Sequence, residues 1–119
     1  MRLERRFPLK GILDIRLVNQ AEDELIGYIA DISVGGFRAT SEEPIAPDTP
    51  LTVELKIPVR EGTFRTLSLP VVCKWSRRDS RLKRINLGFS LVEPNPAFAD
   101  LVTEVRTLIK LSRRSLSVG

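Results

Sequence analysis

The sequence predicts a mainly β protein, a six-stranded antiparallel barrel followed by one C-terminal α-helix. Three observations carry this expectation. Apolar and polar residues alternate in several short stretches, as in strands buried on one face. Turn-forming residues separate these stretches at close spacing, as in small antiparallel barrels. The last part of the 119-residue chain then changes to a helical period.

The elements follow in order. Residues 1–11 read as a flexible basic arm carrying Arg2, Arg5, Arg6 and Lys10. The barrel is expected over residues 12–92. Leu13, Ile15 and Leu17 alternate with Asp14 and Arg16, and the β-rich segment Leu25 to Ile32 breaks at Gly35-Gly36. Phe37 and Ala39 alternate with Arg38 and Thr40 before a connection from Ser41 to Pro50. Leu51, Val53, Leu55 and Ile57 form the clearest alternation, and Glu61-Gly62 reads as a hairpin turn into the run Phe64 to Trp75. Pro70 in that run implies an edge position or a bulge, because proline donates nothing to a ladder. A basic loop, Arg77 to Arg84, leads to Ile85, Leu87, Phe89 and Leu91.

The helix is expected over residues 95–114. Asn95 suits the N-cap and Pro96 the first helical position, where no N–H is needed. Phe98, Leu101, Val102, Val105, Leu108 and Ile109 share one face. Asp100 near the start and Lys110, Arg113 and Arg114 near the end would complement the helix dipole. The apolar stripe is expected to seal the barrel; a dimer seam is the alternative, so the chain is a monomer or a weak homodimer.

Composition narrows the chemistry. The chain has no histidine and one cysteine, Cys73. That removes the usual acid–base group, the common zinc ligands and any triad built on imidazole. No glycine-rich phosphate loop accompanies the carboxylates, so an enzyme is not expected. A lone cysteine, no apolar run long enough to cross a bilayer and no signal-like N-terminus point to the cytoplasm, without membrane insertion. The net charge of +4 favours anionic partners. Nucleic acid is disfavoured, because Trp75 is the one aromatic near the basic loop and offers no stacking platform for a strand.

Asp31-Ile32-Ser33-Val34-Gly35-Gly36 closes a β segment and follows the basic stretch Glu4-Arg5-Arg6-Phe7-Pro8. Downstream lie Val71-Val72-Cys73-Lys74-Trp75, Leu87-Gly88-Phe89 and the terminal helix. In this order the chain resembles the PilZ domain family over nearly its whole length, as a single domain across residues 1–119. The resemblance implies a receptor for cyclic di-GMP that reports to a protein effector. Its site would be Arg5, Arg6 and Lys10 with Asp31, Ser33 and Gly36, and the ligand would order the N-terminal arm; neither cofactor nor metal is implied.

The residue types suit that ligand. An arginine fork can meet guanine O6 and N7, stack on a purine or pair with phosphate. Asp31 can accept from the guanine N–H edge, Ser33 can bridge to ligand or backbone, and Gly36 allows close approach. Taken singly, Asp31 and Ser33 also fit a turn cap, Gly35-Gly36 a bulge, and Arg5-Arg6 a solvated arm. The family's basic motif is Arg-Arg-x-x-x-Arg, and here its last place falls on Lys10, or on Leu9 if Phe7-Pro8 sets the alignment. Lysine keeps the charge and loses the fork, so binding weaker than in a full-motif member is expected. A PilZ domain that binds only protein is the alternative.

Overall fold

The computed structural model describes the backbone of residues 5–118 and the side chains up to residue 113. Among the described residues seven strands precede one helix: β1 (Phe7–Pro8), β2 (Arg16–Asn19), β3 (Glu24–Ser33), β4 (Gly36–Ser41), β5 (Thr49–Pro58), β6 (Phe64–Asp79), β7 (Arg84–Leu91) and α1 (Pro96–Val118). Strands β2, β3, β4, β7, β6 and β5 pair in that order, and β5 pairs back onto β2. Six antiparallel strands thus close the expected barrel. β1 lies beside β3 beyond the end of β2, with Phe7 opposite Ile32 and Pro8 opposite Asp31.

The arm expected to be flexible over residues 1–11 is bound to the barrel from Phe7 to Leu9. Leu9 donates its N–H to the Ala30 carbonyl at 3.0 Å, and its side chain is 1% exposed. The Leu9 carbonyl in turn accepts from Ile12 and Leu13 at 2.8 and 3.1 Å, with Gly11 in the left-handed region at φ 75°. This turn uses up residues that the alternation assigned to a strand, so β2 starts at Arg16. Ile15 still reaches the core, and its carbonyl accepts from Ile29 at 3.0 Å.

Irregularities in the ladders decide which side chains face in. Ile29 and Ile32 are both buried, although three residues apart they would face opposite ways in a regular strand. A register shift between Ile29 and Asp31 supplies the missing step, turning Ile32 inward and Asp31 outward. A second shift, between Cys73 and Trp75, leaves Cys73 buried in the core while Trp75 packs outside over Gly88. Pro70 sits where the β7 ladder has ended, and its carbonyl accepts from Val92 at 3.1 Å. That is the edge position its missing N–H requires, and the bulge of β6 lies further on.

The turns follow their sequences. Thr63 donates to the Arg60 carbonyl at 2.9 Å, and Glu61 and Gly62 take φ of 46° and 80°, the mirror-image turn that matches strand twist. The basic segment from Arg77 to Arg84 is a hairpin rather than a loop: β6 continues to Asp79 and β7 begins at Arg84. Charged residues fit the solvent face of such a ribbon, which is why composition alone suggested a loop.

Asn95 caps α1, its Oδ1 accepting from the Phe98 N–H at 2.9 Å. Phe98, Leu101, Val102 and Val105 are buried with the barrel residues. Phe98 meets Phe37 with ring centroids 6.1 Å apart, and Phe37 stacks on Phe89 at 5.0 Å. The first turns of the helix therefore cover the barrel, whereas Leu108 and Leu111 face solvent. The helix runs to Val118, past the expected end at residue 114, and carries no acidic residue in its first turn and no basic one in its last. Its charges do not complement the dipole as the sequence suggested.

Candidate functional site

The outer face of the barrel brings the signature residues together. Pro8, Asp31, Arg38, Gly88 and Trp75 stand opposite one another across β1, β3, β4, β7 and β6. At the centre, Asp31 is shared by two arginines. Arg6 Nη1 donates to Oδ1 at 2.9 Å, and Arg38 Nε donates to Oδ2 at 2.8 Å. The Asp31 side chain is only 12% exposed, against 53% for Arg6 and 37% for Arg38. Two charge-assisted bonds compensate for the desolvation of the carboxylate. Arg38 is itself steadied by Asn86, whose Oδ1 accepts from Nη1 at 3.0 Å.

Ser33 and Gly36 act on the hairpin rather than on an open surface. The buried Ser33 hydroxyl donates to the Gly36 carbonyl at 3.3 Å across a two-residue loop. A Cβ on Gly36 would lie 2.1 Å from the carbonyl oxygen of Phe89. Glycine is needed there for the close approach of β7, and Gly36 is buried at that contact. The signature thus shapes the turn that presents Asp31.

The basic residues divide. The extended segment entering β1 alternates sides, so Arg6 shares the outer face with Pro8 while Arg5 follows Phe7 toward α1. The Arg5 guanidinium lies 5.6 Å from the Phe7 ring centroid. Lys10 is exposed in the turn after β1, and Leu9 points into the core. Neither joins Asp31, so the place of the third arginine holds no ion-pairing partner of the carboxylate.

Two residues of this face were not assigned to a site from sequence. Arg38 read simply as the polar partner in the Phe37–Ala39 alternation; only the register across β3 and β4 places it against Asp31. Trp75 entered only as the aromatic beside the basic segment and the end of a strand motif. Its ring covers Gly88, where an added Cβ would lie 2.1 Å from the indole nitrogen, and Arg77 stacks over it at 5.4 Å. A concavity of about 570 Å³ lies between the β2–β3 and β6–β7 hairpins and the connection from β4 to β5, near Tyr28, Glu43 and Leu82, and none of the expected site residues lines it.

The family model described as the PilZ domain matches residues 2–106. The chain belongs to the PilZ domain family. Its fold is similar to the PilZ domain with c-di-GMP of YcgR from Escherichia coli, at 12% identity and TM-score 0.64, covering 98% of this chain and 97% of that one. It is similar also to YcgR of Escherichia coli in complex with c-di-GMP, at 13% identity and TM-score 0.68. A third similar structure is the inhibitor of motility MotI/DgrA of Bacillus subtilis, at 15% identity and TM-score 0.59. This chain is covered to 98% in both, but spans only 49% of the complexed YcgR chain and 53% of MotI. No curated protein matches the chain. Among the described residues no helix of this PilZ domain is long and apolar enough to cross a membrane.

Proposed function

We propose that this PilZ domain is a receptor for cyclic di-GMP that reports the ligand to a protein partner, without catalysis of its own. The observation that carries the reading is the Asp31 carboxylate held between Arg6 and Arg38 on an outer face that also carries Trp75. Such a face offers an acceptor for a guanine N–H edge, forks for O6, N7 or phosphate, and an aromatic ring lying over Gly88, about one strand spacing from Arg38, roughly 5 Å. Membership of the family, and the cyclic di-GMP in the similar YcgR structures, support the same ligand.

The ligand would act by exchange. Guanine donors would compete with Arg6 for Asp31, and Arg6 would turn to the ligand's acceptors. The residues before Phe7 would then take a new course over the barrel, presenting a different surface to the effector. The ligand's preference for that arrangement drives the change.

Titration calorimetry with cyclic di-GMP tests this directly. The wild-type chain should bind saturably, Asp31→Ala and Arg6→Ala should each lose at least about tenfold in affinity, and Lys10→Arg should gain. A second reading, a nucleotide-free interaction module, is favoured by Leu9 in the core and Lys10 away from Asp31. No heat and no spectral shift at high ligand concentration would establish that second reading instead.

A further inference from the structure

A cleft of about 290 Å³ lies on the side of the N-terminal segment away from Asp31. Arg5 and Phe7 form one wall, Ala99, Val102 and Arg106 of α1 the other, and Val34 at the tip of the signature hairpin closes it. We propose that this cleft is a second nucleotide subsite, in which Arg106 supplies from the helix the arginine that the N-terminal motif lacks. The proposal rests on the cyclic di-GMP reading and names a contact which that reading does not contain.

Charge is the first argument. Arg5 and Arg106 converge on one small cavity whose lining holds no carboxylate. Among the described residues neither takes part in an ion pair, although other exposed arginines do: Arg65 holds Glu104, which lies between the cleft residues Thr103 and Arg106 in the helix, at 3.0 Å. Two guanidinium groups facing one cavity repel each other, and an anion between them removes that cost. Guanidinium forks meet phosphate oxygens in pairs, which a single lysine such as Lys10 cannot do.

Shape is the second. Between the two cations the walls are mostly apolar, the Phe7 ring, Val34, Ala99 and Val102, joined by Thr103, whose hydroxyl donates to the Ala99 carbonyl at 3.3 Å. Val34 is 55% exposed, an apolar side chain left at a hairpin tip where a polar one would serve solubility. An apolar slot with cations at its mouth suits a planar base joined to a phosphate and does not suit a bare inorganic ion. The volume is at the low end for ligand sites, enough for one nucleotide moiety and not for a whole cyclic dinucleotide. Asp31 and the cleft flank the same extended segment, Arg6 facing one and Arg5 the other. One guanylate half at Asp31 and one in the cleft would clamp this segment against α1, so the helix would register occupancy as well as the arm.

Calorimetry with cyclic di-GMP on the full chain tests the subsite, with melting curves to confirm folding. Arg106→Ala should weaken binding about tenfold and Arg106→Glu more, whereas Arg113→Ala, two turns further along the exposed helix, should bind as wild type. Methyl resonances of Val34 and Val102 should shift on titration. If wild type binds while both Arg106 variants match it and those methyls stay still, the subsite is overturned and the receptor reading stands. If wild type does not bind, both fall.

Discussion

Arg38 holds Asp31 through Nε at 2.8 Å from the directly opposite position on the neighbouring strand. The pair lies where β3 has just stepped out of register, so the bulge aims the carboxylate and Arg38 fixes it. Arg38→Ala should therefore cost about 1–3 kcal/mol, the range for a hydrogen bond to a charged group whose partner remains largely buried. Arg6→Ala should cost less, since the Arg6 side chain is 53% exposed. Urea denaturation of both variants and of each combined with Asp31→Asn measures the coupling; equal losses for Arg6 and Arg38 would contradict this ranking.

The glycines separate two kinds of close approach. Gly36→Ala would drive a methyl group into the Phe89 carbonyl of the adjoining strand, which cannot move without opening the β4–β7 ladder. It should destabilise by more than about 3 kcal/mol or prevent folding. Gly88→Ala meets the Trp75 ring instead, a surface side chain with other rotamers available. Its melting temperature should fall less, and Trp75 fluorescence should shift to the red as the indole is lifted into water.

Helix docking rests on its first turns. Phe98→Ala should cost about 3–5 kcal/mol through lost burial and the cavity left against Phe37. Leu111→Ala, at a side chain 52% exposed, should change stability by less than about 0.5 kcal/mol. Chemical denaturation of the two variants compares them directly.

Burial raises the pKa of the Cys73 thiol above its ordinary value. The folded chain should resist a thiol reagent at pH 8 and release one equivalent on unfolding, as absorbance of the reagent's leaving group would show. Because the folded state keeps the proton longer, this group's contribution to stability is intact below the pKa of the unfolded thiol, about 8.5, and declines as pH rises toward the folded value. Cys73→Ala should remove that part of the alkaline decline.

Much of the barrel was legible because alternation reports burial. Leu51 to Ile57, Ile85 to Leu91 and the Glu61-Gly62 turn stand where their patterns placed them. The capped start of α1 was equally plain. What failed to show was geometry that costs the sequence almost nothing to encode. The step at Ala30 that turns Asp31 outward leaves no distinctive residue, and Arg38 gains its meaning only from a partner seven positions away across a bulged ladder. Leu13 looked like the beginning of a strand because a residue packed on the core from a turn is as apolar as one on a sheet. Of the six residues expected to form one site, Arg6 and Asp31 meet, Ser33 and Gly36 build the hairpin beside them, and Arg5 and Lys10 turn elsewhere.

Leu9 divides the N-terminal segment into two mechanical parts. Its side chain is a plug seated in the barrel wall, and withdrawing it would forfeit about 1.5–3 kcal/mol of burial in addition to the hydrogen bonds on either side. The segment therefore cannot swing as one lever from the body of the protein. Anything bound at Arg6 acts on a stretch of chain that leads directly into a fixed bearing at Phe7 to Leu9.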